Sequence, residues 1–164
     1  MPELNTERLK LVTFTVDMMK ASLNSIDDLM KIVPYKVDPE WPMDVYKQLF
    51  PYKIERFTKY PEENEWEGII ILKKENRIIG DMGFKGGPNQ QDEIDLGYSI
   101  VPRYQGNGYA TEMAKAMISW GLKRPGVKKV TANCLETNDP SIRVLEKAGL
   151  KQIGKAKDRW LWSS

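Results

Sequence analysis

Two closely spaced glycines join a strand-like segment to an amphipathic helix, and this junction carries the residues best suited to chemistry. Residues 103–112 read Arg-Tyr-Gln-Gly-Asn-Gly-Tyr-Ala-Thr-Glu. A helix that begins near Gly108 leaves its first N–H groups without intrahelical partners, and its dipole favours an anion there. Glycine at Gly106 and Gly108 lets that anion approach closely and permits a positive φ. The junction therefore predicts a pyrophosphate site, the alternative being a tight turn without a ligand.

The flanking segments have the periodicities that such a junction needs. Residues 94–101 alternate apolar and polar side chains, as a strand does, and Pro102 ends the alternation. Beyond Gly108, small and apolar residues recur at helical spacing, with charged residues on the other side. We therefore predict a strand, a glycine turn and a helix in succession.

The glycine pattern excludes two familiar phosphate loops and resembles a third. It lacks the Gly-Lys-Ser/Thr of the Walker loop and the third glycine of the dinucleotide-binding fingerprint. Arg-x-x-Gly-x-Gly followed by Tyr-Ala-Thr-Glu instead resembles the acyl-CoA-binding motif of the GCN5-related N-acetyltransferases (GNAT), where this loop holds the CoA pyrophosphate. The resemblance is strongest over residues 95–150 and weakest over residues 25–61, where acceptor-binding helices lie in relatives.

The resemblance implies a fold as well as a ligand. It predicts an α/β protein with a mixed α+β sheet, organised as a single GNAT domain over residues 1–164. The central sheet would be mostly antiparallel and splayed at the acetyl-CoA cleft, with helices on both faces. The order of the elements along the chain, with early strands and a crossover helix after Gly108, agrees with such a sheet.

A second segment, at residues 136–150, is similar to the ribosomal-protein N-terminal acetyltransferase (RimJ/RimL-like) branch of that superfamily. Asn138 or Asp139 can cap a short helix there, with Pro140 in its first turn. In that branch the Asn and Ser side chains reach the pantetheine arm and the thioester sulfur, which implies these contacts for Asn138 and Ser141. Capping alone is the alternative for Asn138.

One position departs from the wider superfamily. Many members carry a tyrosine in this helix that can protonate the departing CoA thiolate, whereas the matching position here is Leu145. Tyrosine acid catalysis from that position is excluded, so Ser141 becomes the candidate for hydrogen-bonding the sulfur. Because a serine hydroxyl is a weak acid, we expect it to stabilise the leaving group rather than donate its proton fully.

The expected reaction needs no protein nucleophile, because a primary amine can attack an acetyl thioester held beside it. A backbone N–H near Ile100 or Val101 would polarise the thioester carbonyl. The resemblance suggests a strand carboxylate at Asp95 as the base, and Glu93 lies two residues earlier on the same face; either could take the amine proton through water. The alternative is that both are solvent-facing charges.

Composition excludes several other kinds of site. The 164 residues contain no histidine and one cysteine, which removes Ser/His/Asp and Cys/His nucleophile systems and the usual zinc sets. We therefore expect chemistry without a metal, and a packing role for Cys134. A net charge of +2 provides no basic field for nucleic acid. The start Met1-Pro2-Glu3-Leu4 lacks signal-peptide features and no apolar run suits a membrane span, so we expect a cytoplasmic monomer or homodimer.

The remaining pattern predicts the other elements. Strands are expected over residues 9–14, 66–72, 78–84, 130–135, 150–154 and 158–162, and helices over residues 17–24 and 44–59.

The resemblance thus implies an enzyme that moves an acetyl group from acetyl-CoA to a primary amine, either a protein N-terminal α-amine or a small-molecule amine. A non-catalytic acyl-CoA sensor, suggested by Leu145, and an NTP-binding domain are the alternatives. The predicted acetyl-CoA contacts are Ile100, Val101, Arg103, Tyr104, Gln105, Gly106, Asn107, Gly108, Tyr109, Ala110, Asn138, Ser141 and Lys147. The predicted acceptor-cleft residues are Tyr35, Trp41, Trp66 and Arg159.

Overall fold

The computed structural model describes residues 3–164 and shows an α/β fold built around one long mixed sheet. Met1 and Pro2, which belong to the segment considered above for a signal peptide, lie outside the described residues. Within residues 3–164 the strands are β1 (Leu4–Asn5), β2 (Leu9–Thr13), β3 (Lys36–Val37), β4 (Glu67–Leu72), β5 (Arg77–Phe84), β6 (Glu93–Ile100), β7 (Lys129–Leu135), β8 (Lys151–Ala156) and β9 (Arg159–Ser163). The α-helices of the same residues are α1 (Val16–Asn24), α2 (Ile26–Ile32), α3 (Asp44–Lys47), α4 (Phe50–Lys59), α5 (Tyr109–Leu122) and α6 (Asp139–Lys147).

The sheet is mostly antiparallel and opens between two of its central strands. Its order is β1-β2-β4-β5-β6-β7-β9-β8, with β3 added beside β5, and only the β3–β5 and β6–β7 pairs are parallel. The β6–β7 ladder joins Glu93 through Asp95 to Lys129 through Thr131 and goes no further. The rest of β6 therefore borders a gap, which is the splay that the resemblance predicted.

Helix α5 packs across the sheet beside this gap. Met113, Ala114 and Met117 lie at helical spacing and are fully buried. Gly121 faces the strands so closely that a Cβ there would lie 2.8 Å from side-chain atoms of Ile94 and Phe84. The apolar stripe predicted from the sequence is thus the face that fixes α5, and with it the glycine junction, on the sheet.

Two helical regions differ from the sequence prediction. The helix expected over residues 44–59 is two helices, because Pro51 near the start of α4 has no N–H to continue the ladder from α3. Helix α2 was not predicted. Ser25 produces it, since its N–H donates to the Ala21 carbonyl and ends α1, while its hydroxyl accepts from the Asp28 N–H and begins α2.

Candidate active site

The glycine junction has the geometry of an anion site. Gly106 and Gly108 have φ values of 79° and 81°, both in the left-handed region that favours glycine. The first hydrogen bond of α5 runs from the Glu112 N–H to the Gly108 carbonyl, at 3.0 Å. The N–H groups from Tyr109 to Thr111 therefore precede the helical ladder and have no partner within it. The pyrophosphate site predicted from the sequence would use these N–H groups as donors, and it stays a prediction.

Glu112 fixes this junction to the start of the chain. Its carboxylate accepts hydrogen bonds from the Thr6 hydroxyl at 2.5 Å, the Arg8 N–H at 3.0 Å and the Arg8 Nε at 2.7 Å. Arg8 also donates from Nη1 to the Asn107 carbonyl at 2.9 Å. Partial burial acts to raise the pKa of Glu112, but these hydrogen bonds outweigh it and the pKa is lowered. The start of the chain and the glycine junction thus form one contact network.

A cavity of about 500 Å³ lies between the end of β6, the glycine junction and α6. It extends from the first turn of α5 to the first turn of α6. Predicted contacts on its wall are Ile100, Tyr104, Gln105, Gly106, Gly108, Tyr109, Ala110, Asn138, Ser141 and Lys147. Wall residues that the sequence did not predict are Met43, Tyr98, Ser99, Thr111, Pro140, Arg143 and Val144.

Three predicted contacts are not on this wall, because their groups are engaged elsewhere. The Arg103 guanidinium donates from Nε to buried Asp38 at 2.6 Å. The Asn107 side chain donates to the Tyr104 carbonyl at 3.0 Å, and Val101 is fully buried. These residues therefore support the junction by contacts with the protein itself rather than by lining the cavity.

Two hydroxyl groups meet inside the cavity, from strand β6 and helix α6. The Tyr98 Oη and the Ser141 Oγ are 2.7 Å apart. Asn138 accepts from the Ser141 N–H at 3.2 Å, so it caps α6 and holds Ser141 in place. Burial raises the pKa of Tyr98, and the hydrogen bond with Ser141 offsets part of that rise. The cavity thus contains a tyrosine hydroxyl, but it comes from β6 and not from the α6 position that Leu145 occupies.

A buried carboxylate lies behind the cavity wall. Asp81 Oδ2 accepts from the Ser99 hydroxyl at 2.7 Å and from the Trp41 Nε1–H at 3.0 Å. Burial raises the pKa of Asp81 to about 7, although both hydrogen bonds act in the opposite direction. The sequence did not indicate this group, because Asp81 stands in an apolar strand and Trp41 is forty positions away. Its one signal was a charged residue in a strand otherwise fit for the core.

The predicted bases lie elsewhere on β6. Asp95 contacts the Lys85 Nζ at 2.8 Å and accepts from the Thr131 hydroxyl at 2.9 Å. Glu93 stands opposite Lys129 in the closed part of the β6–β7 ladder. The cavity residue Ser99 stands four positions after Asp95, which is about 13 Å along a strand. Neither carboxylate lines the cavity.

The predicted acceptor residues are not brought together. Trp41 is buried but lines a second cavity of about 490 Å³, which shares Met43 with the first. Tyr35 lies under the Lys10 ammonium, 5.4 Å from its ring centroid. Trp66 packs against aromatic core residues, and Arg159 donates to Asn133 at 3.0 Å.

A third cavity of about 650 Å³ adjoins the first across Lys147, which lines both. Lys115 is also on the wall of the third cavity, so the ammonium groups of two lysines border this cavity.

Within residues 3–164 no group of three or more acidic, cysteine or histidine side chains could hold a metal ion. In the same part of the chain, no helix has the length and apolar character that crossing a membrane requires.

The sequence matches the family model described as "Acetyltransferase (GNAT) domain" over residues 8–151. The chain therefore belongs to the GNAT acetyltransferase family, and it is an acetyl-CoA-dependent N-acetyltransferase. The superfamily predicted from the glycine junction is confirmed.

Individual proteins agree with this membership over nearly the whole chain. Uncharacterized N-acetyltransferase YjdG of Bacillus subtilis is 32% identical over 160 residues, which cover 97% of this chain and 95% of that protein. A GNAT-family acetyltransferase structure from Bacillus anthracis has a TM-score of 0.68 at 23% identity, covering 99% and 98% of the two chains. RimL, a ribosomal L7/L12 alpha-N-protein acetyltransferase in complex with coenzyme A, has a TM-score of 0.71 at 13% identity, covering 99% and 97%. Ribosomal-protein acetyltransferases are thus among the structures that share this fold.

Proposed function

We propose that this protein transfers the acetyl group of acetyl-CoA to a primary amine, by direct attack in a ternary complex. The acceptor is a peptide α-amine or a small-molecule amine. The supporting observation is the cavity between β6 and α6, which joins a helix N-terminus suited to a pyrophosphate to a pair of hydroxyl groups suited to a thioester sulfur. Lys147 at the outer end would meet the 3′-phosphate.

The open edge of β6 supplies the donor for the thioester carbonyl. The Val101 N–H points to β5, where it donates to the Ile79 carbonyl at 3.0 Å. Successive N–H groups of a strand point to opposite edges, so the Ile100 N–H points into the gap that β7 leaves. It would stabilise the negative charge that develops on the carbonyl oxygen as the amine attacks. Val101, the other residue considered, has its N–H occupied.

The hydroxyl pair serves the leaving group. As the tetrahedral intermediate collapses, the C–S bond breaks and negative charge develops on the CoA sulfur. Ser141 hydrogen-bonds this sulfur, and Tyr98 behind it provides a proton through the shared hydrogen bond. Because burial raises the pKa of Tyr98, the phenol stays protonated at neutral pH and is available for this step.

The acceptor approaches through the second cavity. That cavity meets the first at Met43 and is bordered by α1, α2 and the segment from Pro39 to Lys47. The exposed carboxylates of Glu40 and Asp44 lie on its rim and favour a cationic amine over an anionic molecule. A peptide α-amine is consistent with the ribosomal-protein acetyltransferases that share the fold.

Ligand stabilisation and thiol release test this function together. Thermal unfolding is followed with acetyl-CoA, CoA and ATP in parallel, and thiol release is then measured, with a chelator present, over a panel of amines and peptides beginning with Ser or Ala. A ligand at 100 times its Kd adds about 2.7 kcal/mol of stability. We expect acetyl-CoA and CoA to stabilise the protein, ATP not to, and at least one amine to be acetylated. Stabilisation without turnover would favour the sensor instead.

A matched pair of variants at Gly106 makes the test specific to the junction. A Cβ at this position meets no atom within 4 Å, so Gly106→Ala adds only the cost of a positive φ, about 1–2 kcal/mol. Gly106→Glu adds the same cost and a negative charge beside the proposed pyrophosphate. We expect similar unfolding of both variants without ligand, and loss of acetyl-CoA stabilisation only with Gly106→Glu. Equal stabilisation of both by acetyl-CoA would place the pyrophosphate elsewhere.

A further inference from the structure

Three acidic side chains are buried in the described part of the chain, and one of them differs from the other two. Asp38 is paired with Arg103, and Glu67 is paired with Lys53. Asp81 has no lysine or arginine within ion-pair distance among residues 3–164, and it accepts hydrogen bonds from two neutral donors, the Trp41 indole and the Ser99 hydroxyl. Ionising a buried carboxylate that has no cation beside it costs free energy. Such a group therefore indicates a role other than stabilising the fold.

Asp81 lies between the two cavities that the reaction would use. Its neighbour Ser99 lines the acetyl-CoA cavity, and its other neighbour Trp41 lines the proposed acceptor cavity. The β5–β6 register places Asp81 directly opposite Ser99, which makes the short contact between their side chains a property of the sheet rather than of a mobile loop. The carboxylate is therefore one hydroxyl group away from the place where donor and acceptor meet.

We propose that Asp81 receives the proton of the attacking amine, through the Ser99 hydroxyl. This inference rests on the proposed function. As the amine nitrogen bonds to the thioester carbon, its proton passes to the Ser99 Oγ while the Ser99 proton passes to the Asp81 Oδ2. The C–S bond then breaks with its electron pair on sulfur, which is protonated from the Tyr98–Ser141 pair. Between turnovers Asp81 releases its proton to water and the Tyr98–Ser141 pair takes one up from water, so the protons balance and no further reactant is needed.

The groups around Asp81 tune it for this task. Burial holds the pKa of Asp81 near 7, where a base is both free to accept a proton and strong enough to take one. From β4, the negative charge of Glu67 raises the pKa, and from α4 the Lys53 ammonium lowers it. Tyr46 on α3 donates to Glu67 at 2.8 Å, and its own pKa is well above the usual value because it is buried. The charge of Asp81 therefore interacts with ionisable groups on β4, α4 and α3.

The pH dependence of kcat tests the relay. The acceptor should be a weakly basic amine from the active panel that is neutral from pH 6 upward, so that titration of the amine does not limit the rate. We expect the kcat of the natural sequence to rise with pH through about 7. Asp81→Asn should lower kcat by about 100-fold or more, which is the range of general base catalysis, and should abolish that rise. Stabilisation by acetyl-CoA, measured by thermal unfolding, should be unchanged.

Matched variants separate proton transfer from structural support. Ser99→Thr keeps the hydroxyl and should keep kcat within a few fold, whereas Ser99→Ala should lose as much as Asp81→Asn. Glu67→Gln removes a negative charge near Asp81 without touching the cavity, so the rise of kcat should move to lower pH. A purely structural role for Asp81 would produce none of these shifts in the pH profile.

The outcomes distinguish this inference from the function on which it rests. If Asp81→Asn turned over as fast as the natural sequence and with the same pH dependence, the relay would be overturned and the acetyltransferase function would stand. Loss of the pH-dependent rise in Asp95→Asn instead would overturn it in favour of the carboxylate predicted from the sequence. Acetyl-CoA stabilisation with no turnover of any amine would overturn both.

Discussion

At the scale of single residues, the ionised Asp81 side chain opposes folding. The pKa of an aspartate is 3.8 in the unfolded chain and about 7 at this position, so the folded state binds more protons between these values. Stability is therefore greatest when Asp81 is protonated and falls as the pH rises toward and through 7. At 1.36 kcal/mol per pKa unit, the loss approaches about 4 kcal/mol above pH 7.

This loss can be measured without any assay of activity. Asp81→Asn is neutral at every pH, so we expect the stability of the variant relative to the natural sequence to increase between pH 5 and pH 8.5. Because other ionisable groups are common to both proteins, the difference in unfolding free energy isolates the titration of Asp81. A difference that stays constant over this range would show that Asp81 titrates with an ordinary pKa.

Tyr98 provides a second prediction at this scale. Tyr98→Phe removes the hydroxyl that contacts Ser141 and keeps the ring in its half-buried position. We expect kcat to fall by about 10- to 100-fold, in keeping with the loss of one acid group, while the Kd for acetyl-CoA measured by calorimetry changes little. Ser141→Ala should have a similar effect, and the double variant should be no slower than the worse single one, because both side chains serve one step. Additive losses would mean that they act separately.

At the scale of elements, the glycine junction depends on a contact with the opposite end of the sequence. Glu112 in the first turn of α5 receives its hydrogen bonds from Thr6 and Arg8, which precede β2. Hydrogen bonds to a charged group contribute about 1.5–3 kcal/mol each when buried, and less here because the Arg8 side chain is 42% exposed. The contact therefore contributes more to the position of the junction than to global stability.

The prediction for this element concerns acetyl-CoA affinity. Glu112→Ala should raise the Kd for acetyl-CoA by about 10-fold, since the first turn of α5 loses its anchor, and should lower the melting temperature by a few degrees. Glu7→Gln is the matched control, because Glu7 is exposed and adjacent to Arg8. The lowered pKa of Glu112 means that its contribution is present above its unfolded pKa and is lost as the pH falls. An unchanged Kd in Glu112→Ala would show that the junction holds its shape alone.

Local patterns predicted most of the elements, and contacts distant in sequence explain what they missed. The strand before Pro102 and the helix after Gly108 were predictable because alternation, proline and glycine act within a few residues. The Asn138 cap was predictable for the same reason. Asp81 was not, because its partners come from other elements and its strand pattern resembles core. The pairing of Arg103 with Asp38 was not predictable either, because the two residues lie 65 positions apart and no local pattern joins them.

At the scale of the whole molecule, the cleft exists because the sheet is closed at one end and open at the other. Three residues of β6 pair with β7, and the strand then continues to Ile100 with only β5 beside it. The two halves of the sheet are held together at the Glu93 end, while beyond Asp95 no residue of β7 pairs with β6. A pantetheine arm lying in this gap would act as a partial substitute for the missing strand.

Amide hydrogen exchange along β6 tests that arrangement. The N–H groups of Gly97 and Ser99 point toward β5, as the Val101 bond to Ile79 requires, so they should exchange slowly with or without ligand. The N–H groups of Tyr98 and Ile100 point into the gap and should exchange faster in the free protein. Acetyl-CoA should slow these two selectively, and Ile100 most if its N–H binds the thioester carbonyl. Uniform protection along β6 would indicate that the ligand tightens the whole sheet rather than filling the gap.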